Sequence, residues 1–300
     1  MRRSKLMVSA LAVGLMALAG CGSNSLDSGA KQGGKVTASV DTAAAAMVPK
    51  AIKDKGTLTV GTDATYAPSE FLAGDGKTIQ GFDIDLFTAV AKKLGLKVQF
   101  QPAKFDSIIT GVQGGKYDVG VSSFTVNAER LKQATMVSYF NAGTQWATTP
   151  GNPKKVDPQK PCGATVAVQK GTVQQEVDLP PKIAACKKAG TPMRDPLVYE
   201  GQDQATAAVV SGKADAMLAD SPVVAYAVDQ SNGKLEALGD IYDAAPYGYV
   251  LPKDQKSMGD AIVAALKSLA TDGGYEKALK AWGVQAGAIR DFAVNPPPAL

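Results

Sequence analysis

A layered α/β protein of about two domains is the fold class this sequence predicts, and three observations carry the prediction. The chain has 300 residues, room for two domains of roughly 100 to 200 residues each. Hydrophobic residues make up 45% and charged residues 20%, a balance that excludes wholesale disorder and a polytopic membrane protein. From Gly56 onward, short apolar runs alternate with amphipathic stretches, the pattern of strands and helices around largely parallel sheets. Gly and Pro, at 31 and 17 residues, are too few and too irregular for a fibrous chain.

The elements follow in order. Leu58 to Gly61 reads as a strand. Phe82, Leu86, Ala89, Val90 and Leu94 fall on one face of a helix that Gly95 ends. Val98 to Gln101 is the next strand, Phe105 to Val112 a helix carrying Ile108 and Ile109, and Asp118 to Val121 a strand. Asn127 is placed to cap a helix containing Arg130. A second series begins after Trp146: strand Ala164 to Val168, a helix starting over Thr172 to Val177, strand Leu197 to Tyr199, helix Gln204 to Val210 and strand Ala214 to Leu218. Pro222 suits the first turn of a helix through Val223, Tyr226 and Ala227. Tyr247 to Leu251 reads as extended, and Met258, Ile262, Ala265, Leu266 and Leu269 share one helical face. Tyr275, Leu279 and Trp282 mark a last helix.

The formal charge of +4 falls to +1 without Arg2, Arg3 and Lys5, so no nucleic-acid footprint is expected. Histidine is absent, which removes Ser-His-Asp and Cys-His pairs and imidazole metal ligands. Residues 1–20 read as a signal peptide, with a basic start followed by an apolar stretch from Leu6 to Ala19. The run Leu18-Ala19-Gly20-Cys21 resembles a bacterial lipobox, which implies acylation of Cys21 and an extracytoplasmic protein held at the membrane by lipid. An ordinary signal that happens to contain a cysteine is the plainer alternative. Residues 21–55, rich in Gly, Ser, Ala, Thr and Lys, read as a flexible tether with an r.m.s. span on the order of 30 Å. Cys162 and Cys186 then remain as an even pair in an oxidising location, joined as a disulfide or left as two buried thiols. Two thiols without histidine make zinc a poor expectation, and no metal or other cofactor is expected.

Several ordered motifs over about 56–285 resemble the bacterial extracellular solute-binding proteins of polar amino-acid ABC importers. They are Gly61-Thr62-Asp63-Ala64-Thr65-Tyr66-Ala67-Pro68, Gly81-Phe82-Asp83-Ile84-Asp85-Leu86, Phe105-Asp106-Ser107-Ile108-Ile109, Asp118 to Thr125 leading to Glu129-Arg130, Gln169-Lys170-Gly171-Thr172, Ala214 to Asp220, and Asp272-Gly273-Gly274-Tyr275. The resemblance implies a two-lobed type II periplasmic-binding-protein fold closed by a two-strand hinge. Lobe one would comprise 56–143 and 249–300 and lobe two 144–248, with crossings near Ala142 to Gln145 and Tyr247 to Tyr249. It also implies a monomer that passes an amino acid to a membrane permease.

A free amino acid needs a fixed cation, a fixed anion and a wall. Arg130 offers a planar fork for a carboxylate, although a surface arginine in a helix's first turn reads equally well from the residue alone. Asp220, after a strand, suits the ligand ammonium or else caps the helix of Ser221-Pro222. Ser122, Ser123 and Thr125 stand at a strand's C-terminal end, where open α/β sheets bind ligands. The resemblance implies that Tyr66 and Phe105 clamp the side chain and that Asp63 and Gln169 contribute to the site. The turn at Gly171 and Thr172 would offer backbone N–H groups to the ligand carboxylate. Val173 stands where the family often has a second Thr, so only a backbone contact survives there. Asp63 and Glu70 suit a cationic side chain, while Gln169 and Gln174 suit an amide. Two other functions remain open on sequence: a cyclohexadienyl dehydratase-like enzyme using Glu70 or Asp63 as an acid of raised pKa, and a sensory amino-acid-binding module.

Overall fold

The computed structural model describes residues 36–298. The expected signal peptide over 1–20, Cys21 and the first part of the expected tether lie outside the described residues. In chain order the first elements are α1 (Thr42–Ala46), α2 (Lys50–Lys55), β1 (Thr57–Thr62), β2 (Thr65–Tyr66), β3 (Glu70–Leu72), β4 (Ile79–Gln80), α3 (Phe82–Lys93), β5 (Lys97–Pro102), α4 (Phe105–Gln113), β6 (Val119–Gly120), α5 (Ala128–Gln133) and β7 (Thr135–Thr148). Then come β8 (Val166–Gln169), a π-helical turn (Gln174–Asp178), α6 (Leu179–Lys188), β9 (Leu197–Tyr199), α7 (Gln202–Val210), β10 (Ala216–Asp220), α8 (Ser221–Gln230), β11 (Glu236–Leu251), α9 (Lys256–Thr271) and α10 (Gly274–Ala281).

Eight strands form one sheet in the order β5-β1-β6-β11-β7-β10-β8-β9, and β2, β3 and β4 form a small antiparallel sheet beside it. The large sheet is parallel at both ends, β5-β1-β6 and β10-β8-β9, and antiparallel in the middle. Its middle is the pair β7 and β11, which are long enough to serve both ends. Residues 245–251 of β11 pair with 135–142 of β7, while residues 144–148 of β7 pair with β10. β11 shifts register three times between Leu238 and Gly248, and such irregularities bend and twist a strand.

Helical packing builds a lobe on each half. Phe82, Leu86 and Val90 of α3 meet Ile262, Leu266 and Leu269 of α9 and Tyr275 of α10 in one core, all fully buried. Each such side chain contributes on the order of 1.5 to 3 kcal/mol. A second cluster, Phe105, Ile108, Val112, Phe124, Met136 and Val250, packs α4 beneath the end of β6. The other half holds Trp146, Val166, Leu179 and Leu218 on one face of its strands and Ala205, Val209, Met217 and Val224 on the other. Cys186 is buried in that half and bonded to Cys162.

The expected tether over 21–55 is corrected in its described part. Residues 42–46 and 50–55 are helical, and Ala38, Ala44 and Val48 are buried in the first core. The Asp41 carboxylate accepts from the N–H groups of Ala43 and Ala44, and its own N–H donates to the Lys93 carbonyl. Each turn is too short to display a helical period. Two further differences reposition functional residues. The strand expected at 214–218 runs to Asp220, and the helix expected from Thr172 opens as a π-turn, a form frequent at functional sites. Among the described residues no helix is long and apolar enough to cross a membrane.

Candidate functional site

Arg130 enters the cleft from the first turns of α5, where Asn127 Oδ1 accepts the Arg130 backbone N–H at 2.8 Å. The sequence-expected cap therefore sets the direction of the guanidinium. Its Nη1 donates to the Thr125 carbonyl at 2.9 Å and its Nη2 to the Gly171 carbonyl at 3.0 Å. The rings of Phe105 and Phe124, stacked with centroids 4.6 Å apart, lie 5.4 Å from its central carbon, a cation–π distance. Arg130 is 6% exposed and forms no salt bridge within the described residues. Burial lowers it to about 10, so it stays cationic at neutral pH. A guanidinium has five N–H donors, and two are spent on carbonyls.

Gly171 permits the contact from the second lobe. It has φ +76°, and a Cβ there would sit 2.9 Å from Cβ of Asp106. Of the backbone donors expected at this turn, the Gly171 N–H is taken by Gln175 Oε1 at 2.7 Å, while Thr172 and Val173 line the cavity. The Thr172 hydroxyl likewise donates to the Gln169 carbonyl at 2.7 Å.

Asp220 faces Arg130 from the other lobe. It stands at the N-cap position of α8 yet makes no side-chain capping bond. Its Oδ2 accepts the hydroxyls of Tyr66, at 2.8 Å, and Tyr247, at 2.7 Å, and its Oδ1 accepts Gln174 Nε2 at 2.8 Å. Burial pushes its carboxyl up, opposed by the donors Tyr247, Tyr66 and Gln174 and by the Arg130 charge. Between the two charges lies a narrow cavity of about 10 Å³ lined by Tyr66, Phe105, Ser123, Thr125, Arg130, Thr172, Val173, Gln174 and Asp220. A space that small holds about one water, so a ligand enters only when the lobes part.

Eight of the eleven residues the sequence offered as ligand contacts line that cavity, and three do not. Asp63 Oδ1 accepts from the Thr65 N–H and hydroxyl, and its Oδ2 accepts from the Phe105 N–H and from Gln169 Nε2. Burial pushes Asp63 up to about 6. Ser122 accepts from the Asp63 N–H and donates to Glu70 Oε1. Asp63 and Ser122 thus have their side-chain oxygens engaged, and Gln169 ties the lobes together through Nε2 while its Oε1 is buried without a partner. Gln174, weighed on sequence only as a partner for an amide, lines the cavity. Tyr247, which sequence reasoning missed, reaches Asp220 only because β11 crosses between the lobes; no local motif marks it.

Residues 58–285 match the bacterial extracellular solute-binding proteins, family 3. The arginine-binding protein ArgT of Corynebacterium glutamicum is 38% identical over 84% of this chain and 83% of its own. The ABC transporter glutamine-binding protein GlnH of Bacillus subtilis is 28% identical over 68% of this chain and 72% of its own. The crystal structure of AncCDT-1, an ancestral amino acid-binding protein and precursor of cyclohexadienyl dehydratase, superposes with a TM-score of 0.66 at 34% identity, covering 77% of this chain and 97% of that one.

Proposed function

The chain belongs to the bacterial extracellular solute-binding proteins, family 3, and on that premise we propose that Arg130 and Asp220 grip the two ends of a free amino acid, L-arginine first among them. Family members bind amino acids and deliver them to ABC permeases, and the two-lobed α/β fold supplies the cleft. The observation that carries the assignment of ends is the buried Arg130 without a carboxylate partner among the described residues. A desolvated cation calls for an anion, and the ligand carboxylate provides it. Asp220, held by three donors, takes the ammonium. Tyr66 and Phe105 flank the side chain. Arginine is the first ligand to test because a relative 38% identical carries that name.

Contacts to both lobes give the ligand different interactions in open and closed forms, which is what shifts such an equilibrium. The enzyme reading needed Glu70 or Asp63 at the reacting group. Neither lines the cavity, and both are held by neighbouring donors. The protein is further proposed to act as a monomeric lipoprotein, anchored through Cys21 after cleavage of the signal over 1–20. Calorimetry with the twenty amino acids tests the ligand: arginine should bind, while its methyl ester and its Nα-acetyl derivative should not. A blocked ligand that binds as well as free arginine removes the assignment of Arg130 and Asp220. Loss of membrane attachment or of processing in Cys21→Ser tests the anchor.

A further inference from the structure

Behind the serine turn lie two carboxyls that the ligand site does not use. Glu70 and Asp83 are both fully buried. The N-terminal end of α3 brings them together: the N–H groups of Phe82 and Asp83 donate to the carbonyls of Pro68 and Ser69. Gly81 allows that approach, with φ +139° and space for no Cβ, since one would sit 2.0 Å from the Ser69 oxygen. The consecutive residues Ser122 and Ser123 tie them side by side, the first bonded to Glu70 and the second to Asp83.

Their remaining contacts divide unequally. Asp83 Oδ2 accepts three groups: the Ser123 N–H at 3.1 Å, the Ser123 hydroxyl at 3.3 Å and the Tyr139 hydroxyl at 2.7 Å. Glu70 Oε1 accepts the Ser122 hydroxyl at 2.9 Å. The other oxygen of each, Glu70 Oε2 and Asp83 Oδ1, is buried without a partner. The groups that face the pair are Asp63 after β1, Tyr66 from β2, Ser122 and Ser123 after β6, Tyr139 from β7 and Tyr249 from β11. None is a cation, and neither carboxyl forms a salt bridge among the described residues.

Two adjacent anions in such a place repel and lack solvation, so one of them stays protonated. We infer that Glu70 and Asp83 hold a single buried proton, carried on Glu70 Oε2 and donated to Asp83 Oδ1, and that this protonated pair is a positioning element for Ser122 and Ser123. One proton satisfies both orphaned oxygens. Asp83 must be the acceptor, because its other oxygen already receives three donors, one of them a backbone N–H. The anchored consequence is at Ser123, which lines the ligand cavity in a left-handed backbone conformation, φ +51°, uncommon for a residue with a Cβ. Asp83 holds both its N–H and its hydroxyl there. Burial together with the neighbouring Asp83 pushes Glu70 well above the usual carboxylate range, in keeping with the same arrangement.

A group that keeps its proton on folding and loses it on unfolding contributes stability that is fully present below its unfolded pKa and is lost as pH rises toward its folded one.

The test uses the mature protein and the Glu70→Gln variant, whose amide can donate to Asp83 while its carbonyl accepts from Ser122. Infrared spectroscopy at pH 8 should show a protonated-carboxyl carbonyl band in the wild type that is absent from Glu70→Gln. A missing band, or one that persists in the variant, overturns the shared proton whatever the ligand proves to be. In urea unfolding, the unfolding constant of the wild type relative to the variant should rise about tenfold per pH unit between pH 5 and 7, the linkage of one proton; a flat ratio overturns it too. For positioning, Glu70→Ala should weaken arginine binding about tenfold or more, as expected for a buried acceptor lost from a connected network, and Glu70→Gln should recover affinity to within about threefold. Equal affinity in Glu70→Ala and wild type overturns the positioning role. Should the Ala variant not fold, affinity in Glu70→Gln more than about tenfold below wild type has the same force.

Discussion

The cationic and anionic ends of the cleft are built on opposite plans. Arg130 is fixed by two backbone carbonyls, one from each lobe, and by two phenyl rings. Asp220 is fixed by three side-chain donors, from β2, β11 and the π-turn. Carbonyls orient a guanidinium without neutralising it, so Arg130 keeps a full charge in want of a partner. Three donors stabilise a carboxylate in place, so Asp220 stays accepting even though burial opposes it. The cation end therefore depends on the ligand for its charge balance, whereas the anion end is largely self-sufficient. Loss of Arg130 should hurt binding more than loss of any one group around Asp220.

That contrast can be broken first at Arg130. Arg130→Ala removes the carboxylate's main partner from a desolvated site, a loss on the order of 3 to 5 kcal/mol and more than a hundredfold in affinity. Arg130→Lys should recover little, because an ammonium cannot span two carbonyls and a carboxylate in one plane. Calorimetric affinities close to wild type in either variant would falsify the unpaired-cation argument. Asp220→Asn comes next. It keeps the shape but not the charge, and a charged hydrogen bond is worth about 1.5 to 3 kcal/mol, some tenfold to a hundredfold in affinity.

Tyr247→Phe should cost about 1 kcal/mol, because Tyr66 still donates to the same oxygen. Its pH dependence sharpens the comparison. Donation from Tyr247 lowers the Asp220 pKa, and burial has already raised it. Binding that needs ionised Asp220 is present above that pKa and lost as pH falls through it, so removing the donor moves the loss to higher pH. Affinity profiles between pH 5 and 8 that coincide for variant and wild type would count against this. Gly171→Ala probes closure: the strain of a side chain at φ +76° and its contact with Asp106 should cost on the order of 1 to 3 kcal/mol, read as slower or weaker ligand capture. The smallest effect on binding is expected from reducing Cys162–Cys186. It should lower the stability of the second lobe by about 3.5 kcal/mol on loop entropy while leaving ligand affinity within about twofold, by thermal melting and calorimetry in parallel, since neither sulfur lines the cavity.

Much of this was legible in the residues themselves. The amphipathic faces of α3 and α9 announced buried helices, Asn127 announced the cap that aims Arg130, and Pro222 announced the start of α8. These features are local: a helical face repeats within a few turns and a cap acts across three residues. The need for a cation, an anion and an aromatic wall was likewise readable from the chemistry of Arg130, Asp220, Tyr66 and Phe105.

What the sequence left open depends on long separations. Asp63 and Gln169 are ligand candidates on sequence, yet they bond each other across the lobes and neither lines the cavity. Tyr247 reaches Asp220, and Glu70 meets Asp83, only because β11 crosses the hinge and the glycine at 81 lets two segments touch. The helices over 42–55 are hidden because each is a single turn or so, α1 held by packing onto α3 and α9 and α2 lying against β1, rather than by its own period. By itself, then, the sequence determined which residue types could bind and where the regular elements lie, because propensity and periodicity act over a few residues. Only the tertiary structure decided which polar atoms are free to meet a ligand, because a hydrogen-bond donor or acceptor is available only when no distant residue has already claimed it.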